Sequence, residues 1–334
     1  MQCNLCEWRC ELSKGKTGVC RVIAAQDGEI RELYPHRWST YGLAHIESIP
    51  FYHVYPGSQS MVIGTLGCNF DCSYCSNAYV AKEEPALLAD RFFHLQPDKL
   101  VDIARKIGCH NIVFNVNEPT VSLPTLVELS RAARQAGMPL GCLTNGYMTE
   151  EATATMAEIF SFINISLKSI TDEFYRHHAG VKGVEPILRN IRSLARTTHL
   201  ELLTPIIQSV NDGEIDAIAD FIASVDPEIP WHVFRLLPEY KMKEVDYPLV
   251  EEINARLETA RQKLPYIYFH NFVGSLWVNT FCPRCGSTVI ERLSLGCGGD
   301  RLLNYLCPGE ICPSCQNPIR ILGQRTEWNS REVG

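Results

Sequence analysis

Two patterns of hydrophobic residues alternate along the chain between about residues 96 and 272. Apolar residues three or four positions apart predict helices, and short continuous apolar runs predict buried strands. Helices are predicted at 96–107, 121–137, 149–158, 184–196, 212–224 and 248–263, and strands at 111–116, 139–144, 161–167, 199–206, 231–237 and 266–272. Strands that alternate with helices in this way predict a parallel sheet.

An apolar run at 61–66 adds an earlier strand, so about six or seven strand–helix units follow one another. A series of that length should curve into a full or partial (β/α) barrel, with its active site at the carboxyl ends of the strands. We therefore predict an α/β fold with three parts. These are a four-cysteine metal-binding segment and lead-in at 1–59, the (β/α) barrel at 60–275, and a zinc-ribbon-like, cysteine-rich segment and tail at 276–334.

The 334 residues include 38 acidic and 31 basic side chains, which give a formal net charge of −7. This balance argues against a general nucleic-acid surface, for which basic residues would be expected. The sequence lacks an apolar run of about 18 residues, and its first residues lack the charged and then apolar layout of a signal peptide. We therefore expect a soluble, cytoplasmic protein that has no membrane partner.

The 15 cysteines carry the strongest chemical signal. A reducing cytosol keeps thiols free to bind metals, so these cysteines predict metal ligands rather than disulfides. Cys68, Cys72 and Cys75 have the spacing C-x3-C-x2-C. Three thiolates can hold three irons of a [4Fe-4S] cluster and leave the fourth iron open to a ligand. A zinc site usually needs four ligands and disulfides use cysteines in pairs, so neither explains an isolated group of three.

Two further sets of cysteines have four members each. The amino-terminal set has the pattern C-x2-C-x3-C-x9-C, and the carboxyl-terminal set forms two C-x2-C knuckles of the zinc-ribbon type. Zinc or an auxiliary Fe-S cluster would fit either set, because zinc and Fe-S clusters both accept four thiolates. In the carboxyl-terminal set, Cys297 and Cys307 add two thiols between the knuckles, so an Fe-S cluster there could use a different four ligands. The predicted ligands are Cys3, Cys6, Cys10 and Cys20 in the first set and Cys282, Cys285, Cys312 and Cys315 in the second.

Polar residues follow three neighbouring strands of the predicted sheet, at 115–120, 144–147 and 166–169. Each group alone could be an ordinary turn or helix cap, because Asn, Ser, Thr and Gly are favoured there. The carboxyl ends of parallel strands lie on one face, so the three groups together predict a ligand-binding site.

Several motifs together resemble the radical S-adenosylmethionine (SAM) superfamily. Within it, the sequence is similar to the branch related to the pyruvate formate-lyase activating enzyme, and closest to the AmmeMemoRadiSam-system radical SAM proteins. The similarity covers roughly residues 1 to 320. The motifs are the three-cysteine spacing with Tyr74, IPFYHVYPGS at 49–58, IGTLGCNF at 63–70, NEPT at 117–120, TNGY at 144–147 and ND at 211–212.

The resemblance implies a barrel of the radical SAM type and roles for individual residues. Cys68, Cys72 and Cys75 would bind the [4Fe-4S] cluster, whose open iron binds SAM. The residues that would contact SAM or support it are Tyr74 against the adenine, Asn117 and Glu118 near the amino group, Thr144, Asn145, Ser166 and Lys168. The chain departs from its relatives at 76–79, where Ser-Asn-Ala-Tyr replaces Gln-Asn-Trp, and at Ser166, where many have Asp.

The function that follows is reductive cleavage of SAM to a 5′-deoxyadenosyl radical that abstracts a hydrogen from its substrate. The activating-enzyme resemblance favours a protein substrate, and a reductant such as a flavodoxin or ferredoxin would be a partner. The first alternative is radical modification of a small molecule. The second is a metal-stabilised binding module without catalysis.

Overall fold

The computed structural model describes residues 1–327 as an eight-stranded sheet flanked by helices, with small sheets at its margins. The strands, in chain order, are β1 (Ile23–Gln26), β2 (Glu29–Glu32), β3 (Arg37–Trp38), β4 (Thr40–His45), β5 (Gln59–Gly64), β6 (Phe93–His94), β7 (Asn111–Phe114), β8 (Leu140–Thr144), β9 (Phe162–Ser166), β10 (His199–Ile206), β11 (Trp231–Arg235), β12 (Ile267–His270), β13 (Thr280–Phe281), β14 (Thr288–Ser294) and β15 (Asp300–Tyr305).

Helices follow most strands of the main sheet. In chain order they are α1 (Ala78–Ala81), α2 (Pro85–Leu88), α3 (Pro97–Lys106), α4 (Leu123–Gln135), α5 (Glu150–Ile159), α6 (Asp172–Phe174), α7 (Glu185–Leu194), α8 (Ile215–Val225) and α9 (Val250–Ala260). The six predicted helices correspond to α3, α4, α5, α7, α8 and α9, and the six predicted strands to β7–β12, so these predictions are confirmed. Most ends differ by one to three residues, as expected where helix and strand ends fray.

The strand order of the main sheet is β12-β11-β10-β9-β8-β7-β5-β4. Seven strands, β5 and β7–β12, pair in parallel, and β4 pairs antiparallel with β5 at one edge. The sheet is therefore open. This agrees with the predicted α/β class and with a partial, rather than a full, (β/α) barrel. The sequence did not predict β4, because Thr40–His45 is half-exposed and lacks an apolar alternation.

The helices bury one face against the sheet. α7 begins with a proline in its first turn, where the missing N–H leaves no helical hydrogen bond unmade. Its apolar residues recur every three or four positions, and this face packs into the main core as Ile187, Leu188, Ile191 and Leu194.

The segment 49–56 packs against the main sheet near the amino ends of β9 and β11. Phe51 contacts Phe162 with ring centroids 4.8 Å apart. Tyr52 packs edge-on against His232 at 5.0 Å. We call residues 49–56 the plug, because the rings of Phe51 and Tyr52 are fully buried and fill this end of the sheet.

A chain of buried polar groups joins the plug, the sheet and the carboxyl-terminal segment. The Glu201 carboxylate lies 2.6 Å from Nε2 of His232, and Nδ1 of His232 lies 2.8 Å from Nε2 of His270. Asp300 contacts Nδ1 of His270 at 2.7 Å and accepts a hydrogen bond from Tyr52 at 2.7 Å. Each of these groups is buried and hydrogen-bonded, which a buried polar side chain requires.

The carboxyl-terminal segment forms the three-stranded antiparallel sheet β13-β14-β15. The predicted division at 59/60 and 275/276 stays a prediction, and residues 328–334 of the predicted tail lie outside the described part of the chain. Within residues 1–327, no helix is both long and apolar enough to cross a membrane.

Candidate functional site

The three-cysteine motif lies in the loop that follows β5, which we call the cysteine loop (67–75). It starts at Gly67, whose φ of +76° is readily adopted by glycine. Cys68, Cys72 and Cys75 are all half-buried and line one cavity of about 350 Å³. Three thiols that open onto a shared cavity fit a cluster that keeps one iron accessible.

Burial raises the pKa of the Cys68 thiol to about 12, and burial also raises the pKa of Cys75. Both thiols are therefore protonated at neutral pH when no metal is bound. Metal ligation requires thiolates, so iron binding must displace these protons. This makes loading of the loop dependent on pH.

The cysteine loop is held by Asn69, which is buried. Its side chain donates to the carbonyl of Tyr147 at 3.2 Å and accepts from the amide of Asn145 at 2.6 Å. Its own carbonyl accepts from the Trp8 indole at 2.8 Å. Asn69 therefore ties the loop to the end of β8 and to the amino-terminal segment.

Asn117 ties the same loop to the end of β7. Its side-chain amide donates to the Gly67 carbonyl at 2.8 Å, and its side-chain oxygen accepts from the Thr65 amide at 2.8 Å. The side chain lines the cavity while it fixes the start of the cysteine loop.

Glu118 is buried where β7 and β8 end. Oε1 accepts hydrogen bonds from the Thr144 hydroxyl at 2.7 Å and from the Thr120 hydroxyl and backbone N–H. Among the described residues, Oε2 accepts only from the Asn145 N–H, at 2.8 Å. Burial raises the pKa of Glu118, and its hydrogen bonds oppose this rise. A carboxylate has about four acceptor positions, so Oε2 can still accept a hydrogen bond from a ligand.

Ser166 and Lys168 line the cavity from the end of β9. The ammonium of Lys168 lies 5.6 Å from the centre of the Tyr74 ring, and its positive charge opposes the rise in the pKa of Cys75. The buried hydroxyl of Tyr74 has no hydrogen-bond partner among the described residues. Because a buried polar atom is rarely left unpaired, this hydroxyl indicates room for a ligand.

The structure thus brings together all ten residues that the sequence predicted for the cluster and for SAM. They line the same cavity, which is bordered by residues at the ends of all seven parallel strands. The predicted residues are Cys68, Cys72, Cys75, Tyr74, Asn117, Glu118, Thr144, Asn145, Ser166 and Lys168. Their individual roles toward a ligand remain predictions.

The sequence analysis did not select three residues that shape this site. Asn69 holds the cysteine loop, Arg235 lines the cavity at the end of β11, and Asn271 lines it after β12. Residues at the carboxyl ends of strands are candidates for the site, and this rule could have suggested Arg235 and Asn271, because both lie within the last three residues of predicted strands, 231–237 and 266–272. Asn69 had no such signal, since its contacts come from distant parts of the chain.

The carboxyl-terminal cysteines form a compact group. The sulfurs of Cys282 and Cys315 lie 3.5 Å apart, those of Cys285 and Cys312 lie 3.6 Å apart, and all four lie within 4.8 Å of one another. Tetrahedral zinc with Zn–S bonds of about 2.3 Å places its sulfurs about 3.8 Å apart. The spacing therefore fits one metal ion.

Cys297 and Cys307 are outside this group. Cys297 is exposed, whereas Cys307 is buried in the small core beside the knuckles. No residue of this segment lines the cavity of the cysteine loop in the part of the chain that is described.

The amino-terminal cysteines are near one another but do not form a group as compact. Cys3, Cys6 and Cys20 are buried and Cys10 is half-buried. Across residues 1–327, the carboxyl-terminal set is the only group of three or more Cys, His, Asp or Glu ligand atoms that all lie within 4.8 Å. A four-iron cluster binds each thiolate to a different iron, so its sulfurs need not approach so closely. The metal of this set stays open between zinc and Fe-S.

Residues 62–222 match the family model of the Radical SAM superfamily. The uncharacterized protein MJ0808 of Methanocaldococcus jannaschii is 28% identical over 329 residues, which cover 96% of both chains. A probable GTP 3',8-cyclase of Thermococcus kodakarensis is 28% identical over 48% of this chain and 51% of its own length. The isethionate sulfite-lyase activating enzyme of Oleidesulfovibrio alaskensis is 30% identical over 42% of this chain and 45% of its own.

For these two relatives, each of which has a named activity, the alignment spans only about half of the relative's own length. Their reactions belong to those proteins, and the similarity alone does not transfer them to this chain.

Proposed function

We propose that this protein, whose residues 62–222 match the Radical SAM family model, binds a [4Fe-4S] cluster and SAM in the cavity of the cysteine loop and generates a radical that abstracts a hydrogen from its substrate. The observation that supports the proposal is the shared cavity. Cys68, Cys72 and Cys75 open onto the same space as the strand-end residues Glu118 and Lys168.

Cys68, Cys72 and Cys75 would hold the cluster, which when bound and reduced supplies the electron that cleaves SAM to methionine and the 5′-deoxyadenosyl radical. The residues of this chain would bind SAM and orient it beside the cluster. Oε2 of Glu118 has a free acceptor position and suits an ammonium group. Lys168 is a cation without an acidic partner in the described chain and suits a carboxylate.

The proposal also concerns the substrate, which we take to be a protein. The similarity to an activating enzyme supports a protein substrate, and the electron would come from a protein reductant such as a flavodoxin or ferredoxin. The second candidate is a radical reaction on a small molecule. It is favoured by the similarity to a probable GTP 3',8-cyclase and by a cavity large enough for a compact ligand.

We further propose that Cys282, Cys285, Cys312 and Cys315 bind one zinc ion. The sulfur distances support a single ion. The role would be structural, because four thiolates leave no open coordination position. This site would therefore stabilise the carboxyl-terminal segment without entering the reaction.

The test uses anaerobically purified and reconstituted protein. Iron, sulfide and zinc are quantified, dithionite and SAM are added, and 5′-deoxyadenosine is measured. We expect the nucleoside from the natural protein and none from Cys72→Ala, which loses a cluster ligand. Cys142→Ala is the matched control, because Cys142 is fully buried and is not one of the residues that line the cavity. Absence of nucleoside from a fully loaded natural protein would count against the proposal and favour a non-catalytic binding module.

A further inference from the structure

Arg235 is the last residue of β11 and lines the cavity. Its guanidinium lies 4.9 Å from the ring centre of Tyr247 and 6.0 Å from that of Phe272. Aromatic rings close to a guanidinium restrict its orientation while they leave N–H groups available at its edge. Arg235 is therefore held in place by contacts that do not use its hydrogen-bonding capacity.

The charge of Arg235 is unpaired. No described acidic residue forms an ion pair with it, and its buried Nε has no hydrogen-bond partner in residues 1–327. A buried donor without a partner is unfavourable, because it has lost its hydrogen bond to water and gained none in the protein. Such an arrangement is expected at a position that a ligand completes.

The cavity as a whole is cationic. Its charged lining residues within the described chain are Lys168, Arg235 and Glu118. The Glu118 carboxylate already accepts four hydrogen bonds from Thr120, Thr144 and Asn145, and it forms no ion pair with Arg235 in the described chain. The two cations also have different surroundings, because Lys168 lies beside Tyr74 of the cysteine loop and Arg235 lies beside Tyr247 and Phe272.

We propose that Arg235 binds an oxyanion of the substrate, a carboxylate or a phosphate, through the edge of its guanidinium. This proposal rests on the proposed function and extends it by naming the substrate class. Lys168 lies on the side of the cluster and suits the carboxylate of SAM, whereas Arg235 provides a second anion position. The planar fork of arginine matches both carboxylate and phosphate, so the geometry identifies their shared chemistry.

The test measures binding of two probes, succinate and pyrophosphate, to reconstituted protein saturated with SAM, at constant ionic strength and by calorimetry. We expect the natural protein to bind at least one probe, and the preferred one distinguishes a carboxylate from a phosphate substrate. Arg235→Gln should weaken that binding by about 10- to 100-fold, the range for a charged hydrogen bond. Arg235→Lys keeps the positive charge but loses the planar guanidinium, so its affinity for the probe should lie between those of the natural protein and Arg235→Gln.

Arg261→Gln is the matched control. Arg261 also stacks on an aromatic ring, 3.8 Å from the centre of Trp277, but it lies outside this cavity. Its substitution should leave probe affinity unchanged. Circular dichroism checks that each variant is folded. If Arg235→Gln does not fold, the comparison is made with Arg235→Lys.

Three results would overturn the assignment. The first is that the natural protein binds neither probe, and the second is that Arg235→Gln or Arg235→Lys binds the preferred probe like the natural protein. The third is that the Arg235 variants lose SAM affinity to the same extent, which would make Arg235 part of the SAM site. The proposed function is tested separately, because 5′-deoxyadenosine formation by the natural protein does not depend on the outcome for Arg235.

Discussion

Glu118 illustrates how a single residue organises this site. Its carboxylate links the end of β7 to Thr144 and Asn145 at the end of β8, and it is 3% exposed. The strand-end pattern placed Glu118 near a ligand. Only the structure shows that most of its acceptor capacity is used inside the protein.

We predict that Glu118→Gln destabilises the protein and weakens SAM binding. The amide keeps the volume, but its NH2 group would face N–H and O–H donors and leave one or more of them unpaired. The expected loss of unfolding free energy is about 1–3 kcal/mol. Urea unfolding and SAM calorimetry measure the two effects. Glu83→Gln is the control, because Glu83 is exposed, and an unchanged urea midpoint for Glu118→Gln would contradict this role.

At the scale of elements, the cysteine loop depends on the amino-terminal segment. A β-carbon on Gly67 would lie 2.6 Å from the carbonyl oxygen of Cys20 and 2.9 Å from the side chain of Val22. Cys6 lies across a short antiparallel bridge from Met148, near the end of β8. The segment that carries the first four cysteines therefore packs directly on the loop that carries the next three.

We predict that Gly67→Ala reduces the iron content of the reconstituted protein, because the methyl group would push the loop and the amino-terminal segment apart. The matched control is Gly108→Ala. Gly108 has a similar φ of +74°, but a β-carbon there would lie more than 4 Å from the surrounding atoms of residues 1–327. Both variants adopt an unfavourable backbone conformation, at about 1–2 kcal/mol, so a selective loss of iron in Gly67→Ala isolates the contact. Equal iron content in both variants would show that the contact between Gly67 and the amino-terminal segment does not affect iron binding.

At the scale of the whole molecule, the carboxyl-terminal segment supports the plug and the sheet. Arg292 donates to the carbonyl of Tyr52 at 2.8 Å and its guanidinium lies 3.9 Å from the centre of that ring. Asp300 contacts both Tyr52 and His270. Loss of order in this segment should therefore weaken the end of the sheet opposite the cavity.

We predict that Cys285→Ser removes about one zinc ion per chain and lowers the thermal midpoint, because the free energy of metal binding stabilises the folded segment. Cys297→Ser should change neither property, since Cys297 is exposed and outside the four-cysteine group. Metal analysis and calorimetry provide the two measurements. Equal zinc in the two variants would show that another set of ligands binds the metal.

The sequence by itself predicted the parallel sheet and its alternating helices and strands, and together with the resemblance to a known family it predicted the ten residues of the candidate cluster and SAM site. It could do so because helix and strand periodicity is local, and because the strand-end rule converts chain position into a shared face. The spacing of Cys68, Cys72 and Cys75 is equally local, so the cluster prediction needed no tertiary information.

Tertiary structure alone decided which partners each polar group meets. Asn69 and Arg235 acquire their roles from residues far away in the chain, Trp8 and Asn145 in one case and Phe272 in the other. The same holds for the compactness of the carboxyl-terminal cysteines, whose two knuckles are separated by 26 residues. Hydrogen bonding, ring stacking and metal geometry depend on distances of a few ångströms in space, and those distances are set only when the sheet curves and its margins pack together.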